Sequence, residues 1–446
     1  MNVHARQRPR DGAEPRPPSP SAGSAAPPLS SGPSGTAHPS RASQRGLNWF
    51  VFFVADVQTG FGPFVSVYLT TQKWTQVEIG FVLSVGSLIG LLGQMPGGIL
   101  VDAARSERLV AGVALCVIAT SALCYALFPI FPVVFTAAAL HAMASCVLGP
   151  CIVALSLGLV GYPGIGARLG RNARFASIGN GVAAAAMGVC GYYFSAQAVF
   201  FVTAAMLIPT LIALSRIRPG EVDPDLVHGG ATPAVSQSPQ ASFGSILRQR
   251  RLFILAGCIA LFHLANASML PLMGSVMTTR SGDWATVLIA ACIVIPQGVV
   301  ALISPWVGEK AQAWGRRYFV LAAFGALIVR GLLFATITSP YALVAVQVLD
   351  GITAACIGIM VPLMIADISR GTGHFSFAQG IVGTAVGVGA TISPTLSGYV
   401  SDQFGSPVAF LGLAGIAVAG LLTVWAILPE TRTGGAAPSE NEMVPR

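Results

Sequence analysis

The sequence predicts an all-α membrane protein of about twelve transmembrane helices, arranged as two six-helix bundles related by pseudo-twofold symmetry. Three observations carry this. The 446 residues are 54% hydrophobic and only 9% charged, with a mean hydropathy of +0.71; a soluble globular chain is roughly a quarter charged. The apolar residues fall into runs that reach the ~20 residues needed to cross a hydrocarbon core. Finally, prolines, glycines and basic residues of the first half recur in the same order in the second.

Taken in order, the spans are Asn48–Thr70, Ile79–Val101, Leu109–Leu127, Pro132–Val160, Phe175–Phe194 and Ala198–Leu214, then Leu252–Met277, Ala285–Ser304, Tyr318–Ile337, Ala342–Ile368, Phe377–Val400 and Pro407–Leu428. Residues 1–47, rich in Pro, Ser, Ala and Arg with no signal-peptide core, read as a disordered cytosolic tail or, in part, an over-extended start. Residues 48–214 and 252–428 form the two bundles, 215–251 a cytosolic linker, and 429–446 a second cytosolic tail. The first two prolines of the halves, Pro63 and Pro271, and the glycines Gly98 and Gly308, stand at matching places. So do Arg168 and Phe175 against Arg370 and Phe377.

Charge placement sets the orientation. Of the 25 Lys and Arg, Lys73 and Arg280 fall on one side and Arg330 lies within a span; the remaining 22 all lie in tails and loops of the other side. Under the positive-inside rule both termini are cytosolic, in a bacterial inner membrane. The net charge of +8 therefore marks topology. No basic stripe interleaves with aromatics, so nucleic acid is not an expected partner. The eight cysteines lie in apolar segments without CxxC or Cys/His spacing, which argues against disulfides and a metal site. No GxxxxGK[ST], HExxH or Gly-x-Ser-x-Gly appears, so neither ATP hydrolysis nor intramembrane hydrolysis is supported, and no cofactor is expected.

Local motifs add a resemblance. After the second span stand Pro96, Gly98 and Asp102, followed by Arg105 and Arg108. After the eighth stand Pro305, Gly308, Gln312, Gly315, Arg316 and Arg317, and the last span ends in Pro429-Glu430-Thr431-Arg432. With six spans, a linker and six more, the chain resembles the major facilitator superfamily, over roughly Asn48 to Arg432. The resemblance implies a transporter whose spans 1, 4, 7 and 10 line a central cavity. It also implies that the Gly–Asp/Gln–Arg loops latch the cytosolic side when it is closed, through charge-assisted hydrogen bonds to neighbouring helix ends. The chain departs from the family pattern in having Gln312 where Asp is usual, and in lacking the proline that drug/proton antiporters carry in span 5.

Ionisable groups inside a bilayer are costly and therefore candidate functional sites. Here they are Asp56 in span 1, His141 in span 4, His263 in span 7, Arg330 in span 9 and Asp350 in span 10, with Asn266 and Gln347 as neutral companions. Asp56, Thr59, Gly60 and Pro63 follow helical spacing and make one small polar face; His263 and Asn266, and Gln347 and Asp350, lie three apart. Asp56, Thr59, His141, His263, Asn266, Gln347 and Asp350 are the expected substrate and proton cavity. Arg330 is expected to pair structurally with Asp350, although Asp350 could instead titrate. Asp56 is the expected proton carrier, because burial raises a carboxylate's pKa.

The function expected is secondary active transport of a small organic solute by alternating access, coupled to protons, in a chain that works as a monomer. It is not expected to be an enzyme. Uniport stays open, as does a non-transporting assembly factor or sensor on the same scaffold.

Overall fold

The computed structural model describes residues 39–59, 63–227, 244, 246–281 and 285–432. Every regular element among them is a helix. In chain order these are α1 (Arg41–Thr59), α2 (Pro63–Thr71), α3 (Gln76–Leu92), α4 (Gln94–Asp102), α5 (Glu107–Leu127), α6 (Phe131–Tyr193), α7 (Ala198–Ala205), α8 (Leu207–Ser215) and the short α9 (Pro224–Val227). They continue with α10 (Arg250–Asn266), α11 (Met269–Ser281), α12 (Ala285–Trp314), α13 (Arg317–Thr336), α14 (Pro340–Ser369), α15 (Phe375–Phe404) and α16 (Ser406–Ile427). Most of the first tail, most of the linker beyond 227 and residues 433–446 lie outside the described residues.

Among the described residues nine helices are long and apolar enough to cross a membrane, or ten when α3 and α4, bent by 50°, count as one span. α6 is 63 residues long; a straight helix of that length would run about 95 Å, roughly three times the hydrocarbon thickness. It is two arms, 131–160 and 162–193, joined at Gly161 with φ 65° and ψ 177°, a conformation that a side chain would oppose. The second arm therefore begins well before Phe175, where apolar composition alone would start it.

Proline sets two further breaks by one mechanism. A proline has no N–H for the carbonyl four residues back, so the helix yields there. α3 stops at Leu92, four before Pro96, and α10 stops at Asn266, beside Ala267, four before Pro271. At this last break the freed N–H of Ser268 donates to Ser393 Oγ at 3.2 Å, and the two hydroxyls are 2.9 Å apart. Both serines are buried, so α15 supplies the hydrogen bond that α10 gives up. Pro150, Pro163, Pro296, Pro305, Pro362 and Pro394 lie inside helices that continue through them.

α1 begins at Arg41, seven residues before the apolar run, because its first turns are held by the protein rather than by lipid. Ser40 N–H donates to Glu221 at 2.9 Å and the Arg218 N–H to Ser43 Oγ at 3.0 Å, tying the chain's entry to the segment after α8. The Ser40 backbone N–H, then the Ser40 and Ser43 hydroxyls and the Arg218 charge, lower the Glu221 pKa against the effect of burial.

α1, α5, α7 and α8 pack on α6 or on one another, with α3 alongside; α10 packs on α15 and α16, α13 on α14 and α16, and α12 on α14. Two contacts join the first half to the second most extensively: α6 with α12, and α4 with α15. One apolar core runs through both sides of the α6–α12 contact, from Leu157 and Leu169 to Val307 and Met364.

Candidate functional site

The loops after α4, α8, α12, α14 and α16, and the bend in α6, gather at one end of the molecule, which carries Arg105, Arg108, Arg316, Arg317 and Arg370 and is called the basic end below. There the halves touch through backbone. A methyl group on Gly98 would collide with the carbonyl of Ser376, and one on Gly308 with the carbonyl of Gly166. On Gly380 it would lie 2.5 Å from Gln94 O, and on Gly170 2.5 Å from Ser304 O. Only hydrogen fits in such crossings. Arg174 Nε donates across them to Ala301 O at 2.9 Å, and the Arg370 guanidinium stacks 4.3 Å from the Tyr162 ring. Gly80, Gly86 and Gly90 on α3, Gly181 and Gly188 on α6, Gly298 on α12 and Gly398 on α15 have no such neighbour within 4 Å among the described residues.

The two latch motifs are built differently. Asp102 ends α4 and accepts the N–H groups of Ser376 at 2.9 Å and Phe377 at 2.7 Å, capping the start of α15 in the other half. Gln312 holds the matching place on α12 but caps no helix N–H groups. The second arm of α6 already begins at residue 162, so the N–H groups of Arg174 and Phe175, repeat mates of Ser376 and Phe377, are inside a helix. Gln312 Oε1 instead accepts from Arg316 at 3.1 Å, and its Nε2 stands 3.5 Å from Tyr162 O. An amide can face that carbonyl as a donor; a carboxylate could not.

The arginines likewise divide. Arg105 is exposed, and Arg108 donates to Leu214 O at 3.4 Å, within its own half. Arg316, only 3% exposed, donates to Asp367 at 3.0 Å and to Ala311 O at 2.9 Å. Glu430 accepts the backbone N–H groups of Arg316 at 2.9 Å, Arg317 at 3.0 Å and Arg432 at 2.9 Å. Burial pushes the Glu430 carboxyl up, but these N–H groups and the Arg316 guanidinium outweigh it and hold it below its ordinary 4.5. Arg317 donates to Trp425 O, and Gly315 turns at φ 94° beside Glu430. This network stitches the exit of α16 to the α12–α13 turn.

Within the membrane the second half holds a polar cluster. Arg330, 1% exposed, pairs with Asp350, donates to Asn266 Oδ1 at 2.8 Å and lies over the Phe334 ring. Gln347, fully buried, and Cys292 adjoin it. The cluster joins α10, α12, α13 and α14. His263 Nδ1 is 3.0 Å from Ile259 O one turn back, and its ring meets Phe262 edge-on.

His141 stands apart from that cluster. It lies in a cavity of about 350 Å³ between α2, α3, α5 and α6, with Ser87, Gln94, Tyr125, Ser145 and Cys146. Its Nε2 is 3.5 Å from Ser145 Oγ. Among the described residues lining this cavity none is Asp, Glu, Lys or Arg. A larger groove of about 460 Å³ along Leu109, Val113, Cys116 and Leu211 is almost wholly apolar and faces outward, as a lipid-filled groove would. Asp56 and Thr59 lie on the last turns of α1, but their side chains are outside the described part of the structure. Among the described residues no group of His, Cys, Asp and Glu could hold a metal ion.

Two positions matter more than the sequence indicates. Arg168, fully buried, donates to Asn172 at 2.8 Å and to Asn48, fixing α1 against the second arm of α6. Its spacing from Arg370 marks it as a repeat mate, but Arg370 does something else. Gln94, at the α3–α4 bend, is a neutral residue in an apolar run and gives no sequence signal beyond the proline two residues on.

A family profile described as the Major Facilitator Superfamily matches residues 47–338 and 284–446. Two proteins of Mycobacterium tuberculosis, from strains CDC 1551 / Oshkosh and ATCC 25618 / H37Rv, are each described as an uncharacterized MFS-type transporter. Each is 38% identical over 394 residues, spanning 87% of this chain and 93% of the relative. Among solved structures, the MFS transporter FucP in the outward conformation superposes with a TM-score of 0.69 at 15% identity, over 86% of this chain and 97% of FucP. The human organic anion transporter TETRAN gives 0.65 at 13% identity, over 86% and 99%. At such identities these likenesses concern the fold alone.

Proposed function

The chain belongs to the major facilitator superfamily, and from that premise we propose that it moves a small organic solute by alternating access, driven by a proton gradient. It is a multi-pass membrane transporter and not an enzyme. The observation that carries the mechanism is the set of backbone-tight crossings between the halves at the basic end, with a cavity lying above them. Rocking of two halves about a midplane site requires that geometry in one of its two states.

The halves are 48–214 and 252–428, with twelve crossings. They pair α1 with α2, α3 with α4, α7 with α8 and α10 with α11 as single spans, and count α6 as two. The basic end is cytosolic, as the charge bias supports, in a bacterial inner membrane, and the protein works as a monomer. Neutral amide, hydroxyl and imidazole groups around the cavity suit a solute that presents uncharged hydrogen-bonding groups to the first half. Asp56 carries the proton. Arg330 and Asp350 neutralise one another and hold the second half together.

The reading is tested with purified protein in liposomes under an imposed pH gradient, screened against metabolites and toxic compounds. At least one solute should move with the gradient, and Gly98→Leu should abolish that movement while leaving the protein folded. Movement that is unaffected by Gly98→Leu would contradict the mechanism.

A further inference from the structure

Gln94 sits where the cavity meets the crossing of the two halves. Its side chain lines the cavity with His141 and Ser145, donates to Gly90 O at 2.9 Å and lies 3.7 Å from Cys146 Sγ. Its Oε1 would be 2.7 Å from a methyl group on Gly383, and its backbone O 2.5 Å from one on Gly380. Both glycines are on α15, in the other half. The residue stands at the 50° bend of α3 and α4, two turns above the Asp102 cap. Gln94 thus both lines the cavity and packs across the crossing.

We infer that Gln94 is both the floor of the cavity and the face of the gate, so that its amide is reached from the cavity when α4 and α15 are closed and from the basic end when they part. A solute held by Gln94 on one side then keeps that contact as access changes. The amide is suited to this because it has a donor and an acceptor that can be re-aimed by a side-chain rotation, and it now donates to the Gly90 carbonyl of α3, in its own half, not to α15. The inference rests on the alternating-access reading above.

The test is sided alkylation in membrane vesicles of known orientation, with a membrane-impermeant maleimide. The parent is the full chain with Cys116, Cys124, Cys146 and Cys190 replaced by Ala, leaving only buried native thiols. Gln94→Cys reports on the residue, and Ser376→Cys, buried at the gate itself, reports on opening. Two gate-weakening changes are compared, Asp102→Asn and Gly380→Ala, so that failure of one to fold leaves the other. In the parent, Gln94→Cys should react from the cavity side only. With the gate weakened, its reactivity from the basic end should rise by about tenfold, the change that about 1.4 kcal/mol of lost stabilisation gives, and Ser376→Cys should rise with it. If Ser376→Cys rises and Gln94→Cys does not, the gate opens without exposing Gln94 and the inference fails. If Ser376→Cys rises with neither change, the gate does not open, and the alternating-access reading fails together with the inference.

Discussion

The carboxylate of Asp102 accepts the backbone N–H groups of Ser376 and Phe377, 2.9 and 2.7 Å away and more than 270 residues later in the chain. It is an N-cap supplied by the opposite half of the molecule, so the helix start it stabilises is satisfied only while the halves are together. Asp102→Asn keeps one acceptor oxygen and loses the charge; Asp102→Ala loses both and should cost about 1–2 kcal/mol of the closed state. Hydrogen–deuterium exchange of the peptide holding Ser376 and Phe377 should quicken in the order parent, Asn, Ala. Equal protection in all three would mean that the cap contributes nothing to closure.

The Arg330–Asp350 pair should behave as a structural element. Removing one partner of a buried pair typically costs about 3–5 kcal/mol, because the other charge is stranded. Asp350→Asn and Arg330→Gln should each lower the yield of monodisperse protein and its Tm, and the double variant should recover part of both. No recovery would favour a titrating Asp350 over a structural one.

The C-terminal stitch should respond to acid. Because Glu430 is held below its ordinary 4.5 in the folded protein, its stabilisation is complete above 4.5 and is lost as pH falls through the lower folded value. Protease cleavage after Pro429 should therefore accelerate below about pH 4.5. Glu430→Gln should be cleaved faster at neutral pH, with a flatter acid dependence. An unchanged acid profile in Glu430→Gln would remove this carboxylate from the account.

Coupling is assigned to Asp56. Asp56→Asn should abolish pH-gradient-driven accumulation or efflux in liposomes, while solute exchange at equal pH survives at least in part. Full response to the gradient in Asp56→Asn would move His141, His263 or Asp350 ahead of it.

What could be read from the sequence follows a physical division. Helix-breaking is legible at Pro271, which marks the break four residues before it because the missing N–H is written in the residue itself. Pro96 works identically, yet it reads first as part of a loop motif, so the α3–α4 bend is not foreseen. Asp102 and Glu430 were visible as residues, but their partners are main-chain N–H groups that no side chain advertises. Gln312 shows the limit of repeat logic. Its position matches that of Asp102, but the bend at Gly161 starts the facing arm twelve residues before Arg174, leaving no free N–H groups there to cap, and only the backbone reveals that. Gln94 was silent because a neutral amide acquires meaning from what surrounds it.

The central claim is that the halves exchange closure at one end for closure at the other. Double electron–electron resonance on two spin-label pairs tests it most directly. Exposed Ala103 and Ala313 report the basic end, and exposed Phe194 and Tyr341 the opposite end. Gly98→Leu should lengthen the Ala103–Ala313 distance and, in the same molecules, shorten the Phe194–Tyr341 distance. If Gly98→Leu leaves both distances where they are, or lengthens the first without shortening the second, the halves do not rock and the account is wrong.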